Sequence, residues 1–194
     1  MNKELTEVIF ILDRSGSMSG LEMETIGGYN GFLEQQKKQP GKTIITTVLF
    51  DDQYEILYNG VDAADAGLTT DQYYVRGRTA LLDAVGKTIL DVKVRLARTP
   101  AEQRPGKVIM VITTDGYENA SQEFSGKQVH DMILRQQQHG WEFLFFGANI
   151  DTVATARKMG IREADAMSYE STAQGMSFMM NEMSARVDQK RRKN

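Results

Sequence analysis

Oxygen-bearing side chains occur in three separated stretches of the sequence, at spacings that suit a metal ion. Asp13, Ser15 and Ser17 alternate along the first stretch, Thr79 precedes a helical pattern, and Asp115 follows an apolar run. All five side chains offer oxygen, with no thiolate or imidazole among them, and such a set suits a hard cation. The pattern therefore predicts a metal site made by Asp13, Ser15, Ser17, Thr79 and Asp115.

The small number of carboxylates in this set favours Mg²⁺. That ion prefers octahedral oxygen ligands and keeps several waters, whereas Ca²⁺ usually takes more carboxylates, so Mn²⁺ or Ca²⁺ is expected only as a substitute. Hydroxyls bind a cation without neutralising it, so the ion would keep positive charge at an open position. We expect that position to attract an aspartate or glutamate of a partner protein, which favours binding over catalysis.

The segments before these residues can bring them together at one edge of a sheet. Val8–Leu12 and Val108–Ile112 are uninterrupted apolar runs, typical of strands that are buried on both faces. In open α/β sheets, ligands bind outside the carboxyl ends of the strands, where the strand order reverses. If the two strands are neighbours, the loops that follow them open at the same edge and Thr79 can face them.

The rest of the chain alternates strand and helix patterns. It predicts an α/β fold, namely a doubly wound, mostly parallel six-stranded sheet of Rossmann-like type with helices on both faces. Thr43–Phe50 and Tyr54–Tyr58 flank a short turn as a hairpin does, so one edge strand is expected to be antiparallel. Two further strands are predicted over 141–146 and 166–169, an irregular stretch over 59–78, and helices between and after the strands.

The length of 194 residues, with no linker or repeat, predicts a single domain over 1–194, with a core over about 8–169 and a C-terminal helix and basic tail over 170–194. The tail, residues 190–194, is expected to be frayed and solvated. A methionine stripe in the last helix predicts core packing, with an adaptable partner groove as the alternative; it contains Met176, Met179, Met180 and Met183.

Composition excludes several classes of protein. The net charge of −3 makes nucleic-acid binding unlikely, and the absence of cysteine excludes thiolate metal sites and cysteine nucleophiles. No apolar run reaches the length of a membrane span, and the first seven residues lack the apolar region of a secretory signal. We therefore expect a cytoplasmic protein without a membrane segment.

The three-part pattern resembles the metal-ion-dependent adhesion site of von Willebrand factor A (VWA) domains, over roughly Val8–Tyr169. The resemblance implies that the two serines and the threonine coordinate the ion, while the two aspartates bind it directly or through water. The chain resembles the stand-alone cytoplasmic bacterial and phage members, including those near tellurium-resistance operons. It is less similar to integrins and plasma glycoproteins, which carry signals, disulfides and further domains.

The chain departs from the family at the third part of the pattern. Members often read Gly-Gly-Thr there, whereas this chain reads Arg76-Gly77-Arg78-Thr79. Together with Arg14, these arginines could steer an acidic partner toward the ion, or they could be solvated surface charges. Tyr117 and Glu118, beside Asp115, could contact a ligand or be plain loop residues.

Other interpretations remain at this point. Each metal-site residue taken alone could be a turn aspartate or a helix-capping hydroxyl. A Mg²⁺-dependent phosphotransfer or hydrolytic enzyme is the alternative function, but Ser15 stands where a haloacid-dehalogenase-like site needs a second aspartate, and the first loop has no P-loop lysine. A dinucleotide-binding domain lacks its Gly-x-Gly-x-x-Gly fingerprint. A module with this fold but without metal is the third alternative.

Overall fold

A six-stranded sheet forms the centre of the protein, whose structure, a computed structural model, describes residues 1–192. The strands are β1 (Asn2–Asp13), β2 (Lys42–Phe50), β3 (Tyr54–Asp62), β4 (Pro105–Thr114), β5 (Trp141–Gly147) and β6 (Ala166–Ser168). They lie in the order β3-β2-β1-β4-β5-β6. All neighbours are parallel except β2 and β3, which are antiparallel. The predicted fold class, with its antiparallel edge strand, is confirmed.

Five α-helices within residues 1–192 cover the two faces of the sheet: α1 (Glu22–Gln36), α2 (Leu81–Arg98), α3 (Gly126–Gln138), α4 (Thr152–Lys158) and α5 (Ala173–Arg192). Helices α1 and α5 pack on one face, and α2, α3 and α4 pack on the other. Helix α3 begins with a capping box, in which Ser125 and Gln128 are bonded reciprocally. No helix within residues 1–192 is both long and apolar enough to cross a bilayer.

The central position of β1 explains its unbroken apolar run. Val8, Phe10 and Leu12 face α1 and α5, while Ile9 and Ile11 face α2 and α3. All five side chains are at most 1% exposed. A strand with helices on both faces must be apolar on both faces, so its sequence does not alternate.

The sheet order creates a switch point between β1 and β4. From β1 the chain continues outward through β2 and β3, whereas from β4 it continues the other way through β5 and β6. In register, Leu12 pairs with Thr113 of β4, and Asp13 pairs with Phe50 of β2. The loops after β1 and β4 therefore begin side by side at the carboxyl edge of the sheet.

Two strands, β1 and β3, extend well beyond their predicted bounds. β1 begins at Asn2 rather than Val8, because its first residues pair with Lys42 and Pro105 of the neighbouring strands. β3 continues to Asp62, so the prediction of irregular chain from residue 59 is wrong at that point. Register shifts in the β2–β3 pairing accommodate Gly60, which has a φ of 70° and donates its N–H to the Thr46 hydroxyl.

The basic tail is helical up to Arg192, so the prediction of a frayed tail is wrong for 190–192. The prediction of a solvated tail is wrong for Lys190 and Arg191, whereas Arg192 is exposed; residues 193–194 lie outside the described part of the chain. The Lys190 Nζ atom is buried and lies 2.6 Å from Glu142 and 2.7 Å from Asp165. Arg191 donates to the Pro40 carbonyl. Long basic side chains can bury their stems where carboxylates meet their heads.

The methionine stripe of α5 packs in the core, as predicted. Met176, Met179, Met180 and Met183 are at most 5% exposed and contact the α1 face of the sheet. Gly28 allows the close approach of α1 and α5, because a Cβ atom there would collide with the Met180 side chain. The conformational freedom of glycine weakens α1 by propensity, whereas its missing side chain permits the close packing of α1 on α5.

Candidate metal centre

The five residues of the predicted metal set converge at the carboxyl edge of the sheet. Asp13, Ser15, Thr79 and Asp115 are at most 3% exposed, whereas Ser17 is exposed. Asp13 ends β1, the two serines lie on the following turn, and Asp115 follows β4. Four of the five residues are therefore buried, and Ser17 is the one that faces solvent.

The hydroxyl oxygens stand at the spacing that an octahedral ion needs. The Ser15 Oγ atom lies 3.1 Å from the Ser17 Oγ atom and 3.1 Å from the Thr79 Oγ1 atom. Ser17 in turn donates a hydrogen bond to the Asp115 carboxylate. Ligands at 2.0–2.1 Å from Mg²⁺ on adjacent octahedral positions are about 3 Å apart. The chain of contacts therefore joins four of the five residues at distances compatible with common ligation.

Asp13 is held by neutral donors alone. Its Oδ1 atom accepts from the Ser15 N–H at 2.7 Å, and its Oδ2 atom accepts from the Thr114 hydroxyl at 2.6 Å. Burial raises the pKa of Asp13 to about 6, although these hydrogen bonds act in the opposite direction. The Tyr73 hydroxyl also donates to the Asp13 carbonyl oxygen, at 2.6 Å, and fixes the end of the strand.

Asp115 has a similar environment. Its carboxylate accepts from the hydroxyls of Ser17 and Ser171, the latter at 3.4 Å. Burial raises the pKa of Asp115, and the two serines lower it. Among residues 1–192, neither Asp115 nor Asp13 forms an ion pair with a lysine, arginine or histidine. Two buried carboxylates therefore stand together without a cationic side chain.

Thr79 does not act as a simple helix cap. Ala80 is the N-cap residue of α2 and makes no side-chain cap, while the Thr79 hydroxyl donates toward Ser15. The Asn119 side-chain oxygen accepts from the Thr79 N–H, and the Asn119 N–H donates to the Thr79 carbonyl, both at 3.0 Å. Asn119 therefore fixes Thr79 to the loop that carries Asp115.

The three arginines of the loops have different environments. Arg14 is fully buried and pairs with Asp51 and Glu55, so neither interpretation that placed it at the surface is correct. Arg76 pairs with Asp51 at 2.6 Å. Arg78 is exposed and makes no ion pair within residues 1–192; it lines a small cavity of about 180 Å³ together with Gln53, Lys87 and Gln122. Only Arg78 keeps its charge for a ligand.

The two residues after Gly116 have separate roles. The Glu118 carboxylate accepts from the backbone N–H groups of Leu82, Ala120 and Ser121, so it closes the first turn of α2 and its own loop. Tyr117 is 61% exposed, and its hydroxyl accepts from the Asp151 N–H at 3.3 Å. Tyr117 can still contact a ligand, whereas Glu118 is committed to the fold.

Several residues of this region were missed by sequence reasoning. Thr114 directly precedes Asp115 and Asn119 lies four residues after it, so their proximity to Asp115 in the sequence is a signal that could have found them. Asp51 and Ser171 come from distant segments without any pattern that marks them. In residues 1–192 no three carboxylate or imidazole groups are placed to share a metal, so an ion at this centre depends on the hydroxyls.

No family model and no curated protein sequence matches the chain. Solved structures do match it. The VWF domain of the type V pili tip protein Mfa5 from Porphyromonas gingivalis has a TM-score of 0.68 at 10% identity, over 97% of each chain. The mussel byssus proximal thread matrix protein 1, with a zinc-occupied MIDAS motif, has a TM-score of 0.67 at 18% identity, over 94% of this chain and 45% of its own.

The PilB minor pilin from Streptococcus sanguinis is also similar, with a TM-score of 0.62 at 12% identity, over 97% of this chain and 62% of its own. The match to the mussel protein spans less than half of the length of that protein. Identities this low concern the fold alone. Together with the strand order, they show that the chain has the Rossmann-like fold of VWA domains.

Proposed function

We propose that the chain is a metal-dependent protein-binding module, in which a Mg²⁺ ion at the centre recruits an acidic residue of a partner. The observation that carries this proposal is the pair of buried carboxylates, Asp13 and Asp115, with no cationic side chain beside them. A buried charge is costly unless it is paired or coordinates a metal. Neutral hydroxyls surround both groups, and a divalent cation fits that set of donors.

The donor set also indicates which residues would hold the ion. Ser15, Ser17 and Thr79 offer hydroxyl oxygens, and Asp13 and Asp115 complete the site directly or through water. When bound, the ion supplies a positive charge that these five groups do not fully neutralise. The zinc-occupied MIDAS motif of the mussel protein supports a divalent ion here. The preference for Mg²⁺, with Mn²⁺ or Ca²⁺ as substitutes, rests on the small number of carboxylates.

The exposed side of the centre supports binding of a partner. Ser17 faces solvent, and the exposed Tyr117 is two residues from Asp115 in the sequence. Arg78 precedes Thr79 in the sequence and has no ion pair within residues 1–192. An aspartate or glutamate from a partner could reach the ion from this side, and Arg78 would favour the approach of an acidic surface.

A Mg²⁺-dependent phosphotransfer or hydrolytic enzyme is the alternative, and the surroundings of the centre do not favour it. A general base must reach the reacting group. The hydrogen bonds of His130 and His139 go to Asp131 and to the Arg135 carbonyl within α3, and the two aspartates of the centre belong to the metal set. We therefore propose binding rather than catalysis.

We further propose that residues 1–194 act as one VWA domain in the cytoplasm. The sequence resemblance to stand-alone bacterial and phage members, including those of tellurium-resistance operons, supports this, and it stays a prediction.

Calorimetric titration with MgCl₂ tests the metal site. We expect wild-type protein to bind one ion and Thr79→Ala to bind it at least roughly tenfold more weakly, since a ligand is lost. Thr88→Ala is the matched control, because Thr88 is a buried threonine of α2 whose hydroxyl donates to the Ala84 carbonyl of the same helix. Equal affinities of wild type and Thr79→Ala would contradict the proposed site.

Binding of a carboxylate to the ion is tested with Mn²⁺ as the probe metal. Acetate should displace a water from protein-bound Mn²⁺ and lower the paramagnetic relaxation of water protons. Chloride at the same ionic strength is the control. If acetate has no effect at saturation, the bound ion offers no position to a partner carboxylate.

A further inference from the structure

A buried ion pair lies next to the candidate metal centre. Arg14 stands between Asp13 and Ser15 in sequence, yet its guanidinium turns away from them to Asp51, and both side chains are 0% exposed. Arg14 also pairs with Glu55 at 2.8 Å. Removing two charges from water costs about as much as their attraction returns, so such a pair contributes little net stability. Its presence at this place calls for another role.

Asp51 connects two segments of the centre. Its Oδ2 atom accepts from the Nε atom of Arg14 at 3.3 Å and from the Nε atom of Arg76 at 2.6 Å. Its backbone carbonyl accepts from the Ala80 N–H at 2.9 Å, directly after Thr79. Arg14 belongs to the loop of the serines, and Arg76 and Ala80 flank Thr79. Asp51 thus contacts both of the chain segments whose hydroxyls, those of Ser15 and Thr79, face each other.

The backbones of the two segments also meet here. The Arg76 N–H donates to the Arg14 carbonyl at 2.9 Å, and the Gly16 N–H donates to the Gly77 carbonyl at 3.2 Å. Gly77 has a φ of 66°, and a Cβ atom at this position would collide with the Asp52 carboxylate beside Asp51. The segment therefore turns sharply against the end of β2, with Asp51 at the point of contact.

The cluster cannot act on an ion through its net charge. Arg14 and Arg76 are balanced by Asp51 and Glu55, so the four groups sum to zero. The centroid of the Tyr74 ring lies 5.5 Å from the Cζ atom of Arg14 and 5.4 Å from the Cζ atom of Arg76. The cluster is neutral and its members are joined by several contacts, which suits a positioning role.

We propose that Asp51 is a positioning residue of the metal centre. Through Arg14 and Arg76 it holds the Thr79 segment against the Asp13–Ser17 loop, and so sets the distance between the hydroxyls of Ser15 and Thr79. Asn119 holds Thr79 on its other side. This inference rests on the proposed metal binding, and the experiment below separates the failure of one from the failure of the other.

The test compares the ion pairs of two buried carboxylates. One is Asp51, directly after β2, and the other is Glu7, on the neighbouring strand β1. Asp51→Asn and Arg76→Met break the cluster near the centre. Glu7→Gln is the matched control, because it breaks the ion pair of the buried Glu7 with Arg95, which has no contact to the five residues of the centre. Thr79→Ala serves as the reference for a lost ligand. Each variant is titrated with Mn²⁺, and water-proton relaxation is measured at saturation.

We expect Asp51→Asn and Arg76→Met to bind Mn²⁺ roughly tenfold more weakly, the size of effect seen when groups that orient metal ligands are removed. Bound Mn²⁺ should also relax water protons faster, as in Thr79→Ala, because a water replaces the misplaced Thr79 hydroxyl. Glu7→Gln should keep the wild-type affinity and relaxation even if its melting temperature falls. A merely structural role of Asp51 would not change the relaxation at saturation.

Two results would overturn the inference while the metal site stands. In the first, Asp51→Asn keeps the wild-type Mn²⁺ affinity and relaxation while Thr79→Ala binds Mn²⁺ more weakly. In the second, Asp51→Asn and Glu7→Gln lose Mn²⁺ affinity to the same extent. If Thr79→Ala binds Mn²⁺ as wild type does, the proposed metal site fails, and the inference fails with it. If Asp51→Asn does not fold, Arg76→Met decides, because its side chain is 36% exposed and its loss leaves the core intact.

Discussion

Strand β1 contains two buried carboxylates, Glu7 in its middle and Asp13 at its carboxyl end, and their charges are compensated differently. Glu7 and Asp13 are both 0% exposed. Glu7 is paired with the Arg95 guanidinium and accepts from the Thr46 hydroxyl at 2.6 Å. Asp13 accepts from the Ser15 backbone N–H and from the hydroxyls of Ser15 and Thr114, all of them neutral donors. One carboxylate is neutralised inside the chain and the other is not.

The pKa shifts follow from this difference in partners. Burial raises the pKa of both groups, but at Glu7 the charge of Arg95 acts against it, whereas at Asp13 the nearby Asp115 carboxylate acts with it. Among residues 1–192, the ion pair of Glu7 in the middle of β1 therefore has no counterpart at Asp13.

The largest expected difference between the two carboxylates is the response to metal. Mg²⁺ at about 100 times its dissociation constant should stabilise the wild type by about 2.7 kcal/mol, which raises the melting temperature by roughly 5–10 °C for a chain of this size. Differential scanning calorimetry in Mg²⁺ and in EDTA measures it. Asp13→Ala should lose the shift and Glu7→Gln should keep it; a shift retained by Asp13→Ala would remove the basis of the comparison.

Without metal, neutralising the two carboxylates should change stability in opposite directions. Glu7→Gln leaves Arg95 without its partner and should lower the free energy of unfolding by about 2 kcal/mol, less than for a fully buried pair because Arg95 is partly exposed. Asp13→Asn removes an uncompensated charge and should raise it by about 1 kcal/mol. Urea unfolding in EDTA measures both. Destabilisation of similar size in the two variants would mean that Asp13 is compensated after all.

The pH dependence should locate the unpaired charge. Because burial raises the pKa of Asp13 to about 6, the folded state holds this proton more tightly than the unfolded state does. Without metal, stability should therefore fall as the pH rises from about 4 to 6. Mg²⁺ affinity should rise by roughly tenfold per pH unit over the same window, since the ion must displace the proton. Titrations at several pH values check this, and in Asp13→Asn both slopes should be reduced.

The smallest effect is expected at the rim of the centre. Arg78→Glu should slow the association of an acidic, glutamate-containing peptide by roughly two- to fivefold and leave Mg²⁺ affinity nearly unchanged. Arg157→Glu makes the same charge change on α4, at an arginine whose side chain is 73% exposed. Stopped-flow measurements at low and high salt compare the two. Equal effects would assign the change to net charge rather than to the position of Arg78.

Much of the fold could be predicted because buried strands are recognisable by their runs of apolar residues. Val8–Leu12 and Val108–Ile112 are apolar throughout, and that alone indicates strands covered on both faces. The hairpin of β2 and β3 was visible from its turn. The boundaries at Asn2 and Asp62 were not, because those residues are polar and join the sheet only through hydrogen bonds to neighbouring strands.

The convergence of the metal set could also be predicted, since Asp13 and Asp115 each follow a central strand and Thr79 precedes a helix. The partners of the arginines and of the tail could not. Arg14 and Arg78 look alike in the sequence, yet one is buried against Asp51 and the other is exposed. Lys190 belongs to a run of basic residues that reads as solvated, yet it lies between two carboxylates.

The sequence by itself determined the strands, their order along the chain and the kind of oxygen donors at their ends, because periodicity and residue type are local properties. Only the tertiary structure decided which charges are compensated. Arg95 meets Glu7 and Asp51 meets Arg14 across 88 and 37 residues of chain, respectively. Charge compensation depends on distance in space, and no spacing in the sequence records that Glu7 has a cation beside it while Asp13 has none.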